Sequence, residues 1–470
     1  MLLRRLYHDR LAQAAYLVAC QETREAIVVD PLRDPTPYLE AARQDGVTIT
    51  MVTETHIHAD FLSGAAALAD VAGATLLLSG EGAGPAGYQH AAFPRARWLR
   101  NGERLQLGKV RLDVVHVPGH TPEHLAFLVT DTAVDAGPMG FLSGDFLFVG
   151  DVGRPDLLER AAGMQGTMAQ SARQLHASLR GLAPLPDHLQ IWPGHGAGSA
   201  CGKSLGAVPQ TTLGYERRTN WALRATSEEA FVDEVLAGQP EPPAYFARMK
   251  RQNAAGSHPL PPPSPHPSDH SLRSAVERGT LVVDTRPAPH FAARHRPGSL
   301  NVPLGGSFLG LAGSVLPSDR DIVLVTSTDQ HAAAEQMVRD LRLIGIDRVC
   351  GVLAFDQLMP ADARAATLRS IPATELARAS SNGTTVVDVR NRSEWAHGHV
   401  PGARLVPLPE LAARIDELRG LGPIAVHCQG GSRSAVAASM LLAAGISDVT
   451  NVDGGYGAWV NAGNVPATDD

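Results

Sequence analysis

The amino-acid sequence predicts an α/β chain of three domains, an αββα sandwich followed by two smaller parallel α/β units. Three observations lead there. Strand-like apolar runs dominate the first part of the chain (Ala26–Val29, Ile49–Val52, Thr75–Ser79, Val110–Val115, Leu125–Thr130, Phe141–Ser143), with helical stretches between some of them. A Pro-rich segment, Ser257–Pro267, then interrupts the regular patterning. Beyond it one pattern occurs twice, each time as apolar strand, loop, strand, helix and strand.

Length and composition fit that plan. The 470 residues are 44% hydrophobic and 19% charged, with a net charge of -7, far from the apolar-poor, highly charged range of disordered chains. At roughly 100–200 residues per domain, two to four domains are expected. The 41 basic residues are outnumbered by 48 acidic ones and form no cluster, which argues against a nucleic-acid or anionic-membrane partner. Only Lys109, Lys203 and Lys250 among the basic residues are lysines. No apolar run reaches the roughly 18 residues that span a bilayer. Cys20, Cys201, Cys350 and Cys428 include no C-x-x-C pair, so they read as reduced thiols and the protein as cytoplasmic.

At the N-terminus, Leu17-Val18-Ala19-Cys20 after Arg4 and Arg5 could pass for a lipoprotein cleavage site. The preceding apolar stretch is short and contains Gln13, and a second strand-like run follows at Ala26–Asp30. A two-strand hairpin is the better expectation.

The segment 256–270 reads as a linker, because repeated Pro removes backbone donors and favours extended polyproline II. It separates a domain over 1–255 from the repeat. In the repeat, Leu281–Arg286 recurs as Val386–Arg390, His295–Ser299 as His399–Ala403, and Val302–Leu304 as Val406–Leu408. The first copy is expected over 271–369 and the second over 370–470.

Chemistry-bearing residues gather at strand ends. Thr55-His56-Ile57-His58-Ala59-Asp60 follows the run Ile49–Val52, and a strand end can aim alternate side chains at one pocket. Pro118-Gly119-His120-Thr121, Ser143-Gly144-Asp145-Phe146 and Pro193-Gly194-His195-Gly196 place further His and Asp in Gly-containing turns, where function concentrates. Four such elements in one domain form a metal-ligand pattern.

Together they resemble the metallo-β-lactamase superfamily, whose H-x-H-x-D-H motif and later His, Asp and His build one or two metal sites. Here Phe61 stands where that motif ends in His, and Phe cannot coordinate. The departure favours a mononuclear two-His, one-carboxylate site, which suits Fe(II), over a dinuclear zinc hydrolase. It is similar to the persulfide dioxygenase branch. That resemblance implies one Fe(II) per chain on His56, His120 and Asp145, with His58, Asp60 and His195 as supporting or substrate-binding residues. Arg154, in Gly153-Arg154-Pro155-Asp156, reads as a clamp for a substrate carboxylate or as one half of a structural ion pair. His116 reads as structural.

The second copy of the repeat carries a thiol. The buried-strand pattern Ile424–His427 runs into Cys428-Gln429-Gly430-Gly431-Ser432-Arg433 and then a helical stretch. A helix start and two glycines can aim backbone N–H groups at sulfur and stabilise a thiolate. Arg433 adds a positive charge. Four residues intervene between Cys428 and Arg433, one fewer than in phosphatase loops. This loop, with Asp388-Val389-Arg390, Gly398–Ala403 and Gly454-Gly455-Tyr456, resembles single-domain rhodanese.

The first copy has Ser327-Thr328-Asp329-Gln330-His331 in place of that loop, and Asp329 would repel an anionic sulfur. It reads as a rhodanese-like domain without the catalytic Cys. Cys350 reads as core. Cys201, six residues after His195, is either a thiol near the metal pocket that accepts sulfur or a loop thiol without a role.

The whole chain resembles persulfide dioxygenase–rhodanese fusions with an inactive middle copy. The resemblance implies oxidation of a thiol persulfide (of glutathione, coenzyme A or similar) by O2 to sulfite. It further implies sulfane-sulfur transfer through Cys428, to or from thiosulfate, as part of sulfide detoxification in a homo-oligomer. A second expectation is a dinuclear zinc hydrolase of the glyoxalase II kind fused to rhodanese.

Overall fold

The computed structural model describes residues 1–82, 84, 87–160, 165–239, 241–256, 259–261 and 267–468. Of the expected linker, residues 257, 258 and 262–266 lie outside the described residues. The chain divides into two compact units, Met1–Leu260 and Pro261–Asp470. Among the described residues, no helix is long and apolar enough to cross a membrane.

Two six-stranded sheets face each other in the first unit. One runs in the order β1 (Leu2–His8), β2 (Gln13–Ala19), β3 (Glu25–Val29), β4 (Thr48–Thr53), β5 (Thr75–Ser79) and β6 (Arg97–Leu99). The other contains β7 (Arg104–Leu107), β8 (Val110–His116), β9 (Leu125–Asp131), β10 (Gly140–Gly144), β11 (Gln190–Pro193) and β12 (Thr211–Thr212), in the spatial order β12-β11-β10-β9-β8-β7. The expected β2–β3 hairpin forms, with Tyr16 opposite Val29.

Every residue of β2 is buried, because both faces of its sheet are covered. Ala14, Tyr16 and Val18 face inward and meet Leu112, Phe127 and Leu142 of the second sheet. Ala15, Leu17 and Ala19 face outward beneath the helices Thr36–Asp45 and Ala65–Ala72. The second sheet is covered in the same way, Phe141 and Ile191 packing with Leu175 and Leu179 of Met168–Arg180 and with Phe231 of Glu228–Leu236. This is the αββα sandwich that the sequence predicts, with strand ends of both sheets meeting along one edge.

The second unit holds two all-parallel sheets. The first contains β13 (Leu281–Asp284), β14 (Leu300–Asn301), β15 (Ile322–Thr326) and β16 (Val349–Ala354), in the order β14-β13-β15-β16. The second contains β17 (Arg369–Pro372), β18 (Thr385–Asp388), β19 (Arg404–Leu405), β20 (Ile424–His427) and β21 (Val449–Asp453), in the order β17-β21-β20-β18-β19. In both, the strand that leads to the loop corresponding to Cys428 lies centrally, beside a strand ending in an Asp that grips the Arg two residues on. Cys350, expected in the core, is only partly buried on β16.

The helix Ser432–Ala443 is buried continuously from Ser434 to Leu441. It packs on β20 and β21 of its own sheet and on β14 of the preceding copy. Ser439 Oγ accepts the backbone N–H of Asn301 at 2.9 Å and donates to the Val436 carbonyl at 2.6 Å. The copy without the Cys therefore covers the helix that supports the Cys loop. Ser439→Ala should destabilise the second unit by about 1–3 kcal/mol, the cost of a buried unsatisfied N–H. Chemical denaturation measures it, and an unchanged midpoint would contradict this packing role.

Candidate functional site

Four chain segments converge at the strand-end edge of the sandwich. β4 leads into Thr55 to Asp60, the β8–β9 loop carries His120 to His124, Asp145 directly follows β10, and His195 lies two residues past β11. Gly144 adopts φ 53°, and a Cβ there would lie 2.5 Å from Thr55 Oγ1, so only glycine lets β10 approach this closely.

His56, His120 and Asp145 bring one ligand atom each within 4.8 Å of one another, and all three are buried. The Nε2 atoms of His56 and His120 lie 3.8 and 3.7 Å from Asp145 Oδ2. That oxygen is buried and has no hydrogen-bond partner, which is costly unless an ion occupies the centre. The donor set, two imidazoles and one carboxylate, fits a divalent metal of the Zn or Fe kind.

Each ligand is oriented from behind. His56 Nδ1 donates to Thr55 Oγ1 at 2.9 Å, and Thr55 Oγ1 donates to Asp30 Oδ2 at 2.9 Å. His120 Nδ1 donates to the Arg154 carbonyl at 2.9 Å. Both rings therefore keep the Nε2 lone pair turned to the centre. Burial, reinforced by neighbouring histidines, pushes His56 well below its ordinary value. Burial likewise lowers His120, against the pull of Asp145. Burial alone would raise the Asp145 carboxyl, but the charge and hydrogen bond of His195 hold it well below the carboxylate range.

His195 sits between two carboxylates, Nδ1 2.7 Å from Asp145 Oδ1 and Nε2 2.8 Å from Asp60 Oδ2. Burial disfavours its charge, yet Asp145 and Asp60 raise it well above its usual value. His58 lies outside the three-donor group, its Nε2 3.1 Å from Asp30 Oδ1. Burial lowers it, but Asp30, Glu54 and Asp60 prevail and raise it to about 9.

Arg154 is completely buried and forks Asp156 at 2.8 and 2.7 Å, with its Nη1 on the Ala200 carbonyl. Of the two expectations for it, the structural ion pair is what forms. The guanidinium is thus held by Asp156 and the Ala200 carbonyl, while the Arg154 carbonyl orients His120. His116 Nε2 donates to the Pro122 carbonyl at 2.8 Å. Phe61 is buried against the His58 ring at 4.3 Å between centroids. It does not leave the second position without donors, because Asp60, His195 and Cys201 form another three-donor group. The Cys201 thiol is 2% exposed, and burial with Asp60 and Asp145 pushes it well above the ordinary thiol range.

Several residues here escaped the sequence reading. Asp30, at the end of β3 with φ 55°, accepts the Thr55 N–H at 2.6 Å besides its bonds to the Thr55 hydroxyl and His58. His124 stacks on His56 at 4.8 Å and accepts the Asp145 N–H at 3.1 Å. Asn253 donates to the His58 and Phe61 carbonyls. An Asp just past a buried strand, and a second His four residues after His120, were the available signals.

In the second unit Cys428 follows β20 and is 1% exposed. Its Sγ accepts the Gly431 N–H at 3.1 Å, Gly431 having φ 104°. Gly430 and Ser432 complete the curve, and Gln429 Oε1 accepts from Arg390 at 3.4 Å. Gly455 has φ 56°, and a Cβ there would lie 2.2 Å from the Cys428 carbonyl. Arg433, at the helix start, forks Glu394 at 2.6 and 2.7 Å.

Comparisons with known proteins match two stretches of the chain. Residues 8–195 match the metallo-beta-lactamase superfamily, and residues 372–462 match the rhodanese-like domain. A metallo-beta-lactamase structure from Staphylococcus aureus subsp. aureus COL is 38% identical with a TM-score of 0.67, covering 75% of this chain and 99% of that one. A hydroxyacylglutathione hydrolase-like protein of Homo sapiens is 33% identical over 181 residues, 38% of this chain and 54% of its own, so the chain spans about half of that relative. The mitochondrial persulfide dioxygenase of Bos taurus is 26% identical over 238 residues, 49% of this chain and 78% of its own.

The charged His58 gives metal-free protein a defined pH response. Its folded value of about 9 exceeds the roughly 6.5 of an unfolded His. The stabilisation is therefore complete below about pH 6.5 and is lost as pH rises through about 9. The Tm of chelated protein should fall across that window, and His58→Gln should flatten part of the fall. A level Tm would contradict it.

Proposed function

The chain belongs to the metallo-beta-lactamase superfamily and carries a C-terminal rhodanese-like domain, and from that premise we propose that it is a persulfide dioxygenase joined to a sulfurtransferase. The observation that carries the reading is the His56–His120–Asp145 group with the unpartnered Asp145 Oδ2, in one chain with a glycine-curled thiol loop at Cys428. One Fe(II), held by those three residues, would supply the redox chemistry that joins O2 to a persulfide sulfur.

The protein's own groups set the stage for that reaction. Asp30, Thr55 and the Arg154 carbonyl keep two imidazole lone pairs inward. His195 holds a proton between Asp145 and Asp60, within reach of groups bound at the centre. Burial of every member excludes bulk water. The reaction balances as RSSH + O2 + H2O → RSH + SO3(2−) + 2 H+, in which the terminal sulfur is oxidised and O2 reduced.

In the second unit the Cys428 thiolate attacks the outer sulfur of a persulfide RSS−, breaking its S–S bond and releasing RS−, to become Cys–S–S−. Attack by sulfite on that sulfur breaks the S–S bond, releasing thiosulfate and the Cys428 thiolate. The Gly431 N–H steadies the sulfur anion, and Glu394 fixes Arg433 at the helix start. Joining the two sites in one chain raises the effective concentration of sulfite near its acceptor. Such chemistry fits a role in sulfide detoxification in the cytoplasm, with glutathione, coenzyme A or a similar thiol as carrier.

A second reading, a zinc thioester hydrolase, draws on one observation, the donor group Asp60–His195–Cys201 beside the first.

Metal analysis and O2 uptake separate the two readings. Iron-loaded protein should consume O2 with glutathione persulfide and yield sulfite, and His120→Ala should abolish both iron retention and uptake. Cys428→Ser should lose thiosulfate:thiol sulfur transfer by at least ~1000-fold, as expected for removing a nucleophile, while O2 uptake persists. Two zinc ions per chain, thioester hydrolysis and no O2 uptake would overturn the dioxygenase reading.

A further inference from the structure

Two guanidinium groups are tied to the Cys428 loop, and a carboxylate holds each of them. Arg390 is buried; its Nε and Nη2 reach Asp388 Oδ2 at 2.9 and 2.7 Å, and its Nη1 donates to Gln429, the residue after Cys428. Arg433 stands in the first turn of the helix Ser432–Ala443, two residues after the Gly431 N–H that Cys428 Sγ accepts at 3.1 Å. Its Nη1 and Nη2 donate to Glu394 Oε2 and Oε1 at 2.6 and 2.7 Å.

Glu394 is fixed from a second direction. It lies in the helix Arg392–Ala396, where its Oε2 also accepts the Asn391 N–H at 3.0 Å. The side chains of Arg433 and Glu394 are 25% and 28% exposed, so a soluble anion can reach the pair. Burial lowers the Arg433 guanidinium, but the bond and charge of Glu394, followed by the charge of Cys428, raise it above its ordinary value. Among the described residues, the loop thus offers a sulfur donor the Gly431 N–H and no unmatched guanidinium.

Charge separates the two donor chemistries open to such a thiolate. A persulfide reacts as Cys–S− + RSS− → Cys–S–S− + RS−, bringing one negative charge to the loop. Thiosulfate reacts as Cys–S− + S2O3(2−) → Cys–S–S− + SO3(2−), bringing two. In each, the thiolate bonds to the outer sulfur as that sulfur's older S–S bond breaks, and the electron pair leaves with RS− or sulfite. The dianion has more to gain from a free guanidinium, and loses more where a carboxylate already occupies it.

We propose that Glu394 sets the donor specificity of the Cys428 loop: by holding the Arg433 fork it withholds a cation from dianionic donors and favours a persulfide over thiosulfate. This rests on the reading of Cys428 as the sulfur carrier. Glu394 acts through Arg433 and is a positioning residue.

The test is the ratio of kcat/KM for thiosulfate to kcat/KM for the monoanionic persulfide of 2-mercaptoethanol. Both are measured on the full chain with cyanide as acceptor (Cys–S–S− + CN− → Cys–S− + SCN−), with the Cys428→Ser rate subtracted. Intrinsic donor reactivity cancels in the change of this ratio between variants. Glu394→Gln keeps an oxygen for the Asn391 N–H and removes the charge; it should raise the ratio ~10-fold, as one charge at a partly screened distance does. Arg433→Gln leaves the carboxylate unmatched and should lower the ratio by a similar factor. Glu394→Gln combined with Arg433→Gln rebalances the charge and should return the ratio to the wild-type value, and Glu394→Asp should keep it there. A merely structural role for Glu394 would lower both donors together.

An unchanged ratio in folded Glu394→Gln and Arg433→Gln would overturn the proposal, as would a raised ratio that persists in the double variant. Should either single variant fail to fold, the other still decides. Wild-type turnover no faster than Cys428→Ser with both donors defeats the sulfur-carrier reading as well, whereas persulfide turnover without any shift in the ratio defeats the role of Glu394 alone.

Discussion

The Asp30 carboxylate holds the metal edge of the sandwich together. It ends β3 in the left-handed region at φ 55°, which a short polar side chain tolerates better than most. From there its two oxygens reach the Thr55 N–H, the Thr55 hydroxyl and His58. The Gln13 side chain in turn donates to the Asp30 carbonyl at 2.8 Å. These bonds tie β2, β3 and β4 to the segment that carries His56. The hydroxyl relay fixes the His56 tautomer, and the bond to His58 leaves that ring charged and outside the three-donor group. Strain in one backbone residue is thus offset by three hydrogen bonds that orient the segment carrying the His56 donor.

The strands of the sandwich and the two parallel sheets were legible because each strand is a short apolar run bounded by turn residues. The β2–β3 hairpin, the ends of β4 and β10 and the Cys428 loop all stand where periodicity places them. Short edge strands such as β6, β7 and β12 carry too few apolar residues for that signal. The donors at strand ends were legible as His and Asp in glycine turns. Their supports were not, because Thr55, Asn253 and the Arg154 carbonyl act through backbone geometry that residue type does not reveal. Arg154 and Arg433 show the complementary limit: sequence locates a charge, and only packing shows that Asp156 and Glu394 neutralise it.

The same logic separates the two copies of the repeat. Both keep the strand-end Asp–Arg fork, Asp284 with Arg286 and Asp388 with Arg390, and both stack the guanidinium on an aromatic ring, Phe355 or Tyr456. That shared feature is architectural. The difference lies in the loop. Cys428 has glycines on the way to its helix, whereas Ser327 is followed by Thr328 and Asp329 in a short 3₁₀ turn closed by Gln330. The first copy retains the fold and lends its β14 edge to the helix behind Cys428.

Proton accounting orders the two donor groups of the first unit. His56 and His120 are neutral and Asp145 is ionised, so the first group accepts a cation without losing a proton. The second group holds an imidazolium at His195 and a protonated thiol at Cys201. To ligate, it must release both protons and break the His195 bond to Asp60. Metal affinity falls with each proton displaced at a pH below the ligand's own value. A cation at the first position therefore displaces fewer protons than one at the second, where His195 is held charged between its two carboxylates. The difference in protons displaced between the two donor groups thus lies in His195 and Cys201, and not in the phenylalanine at position 61.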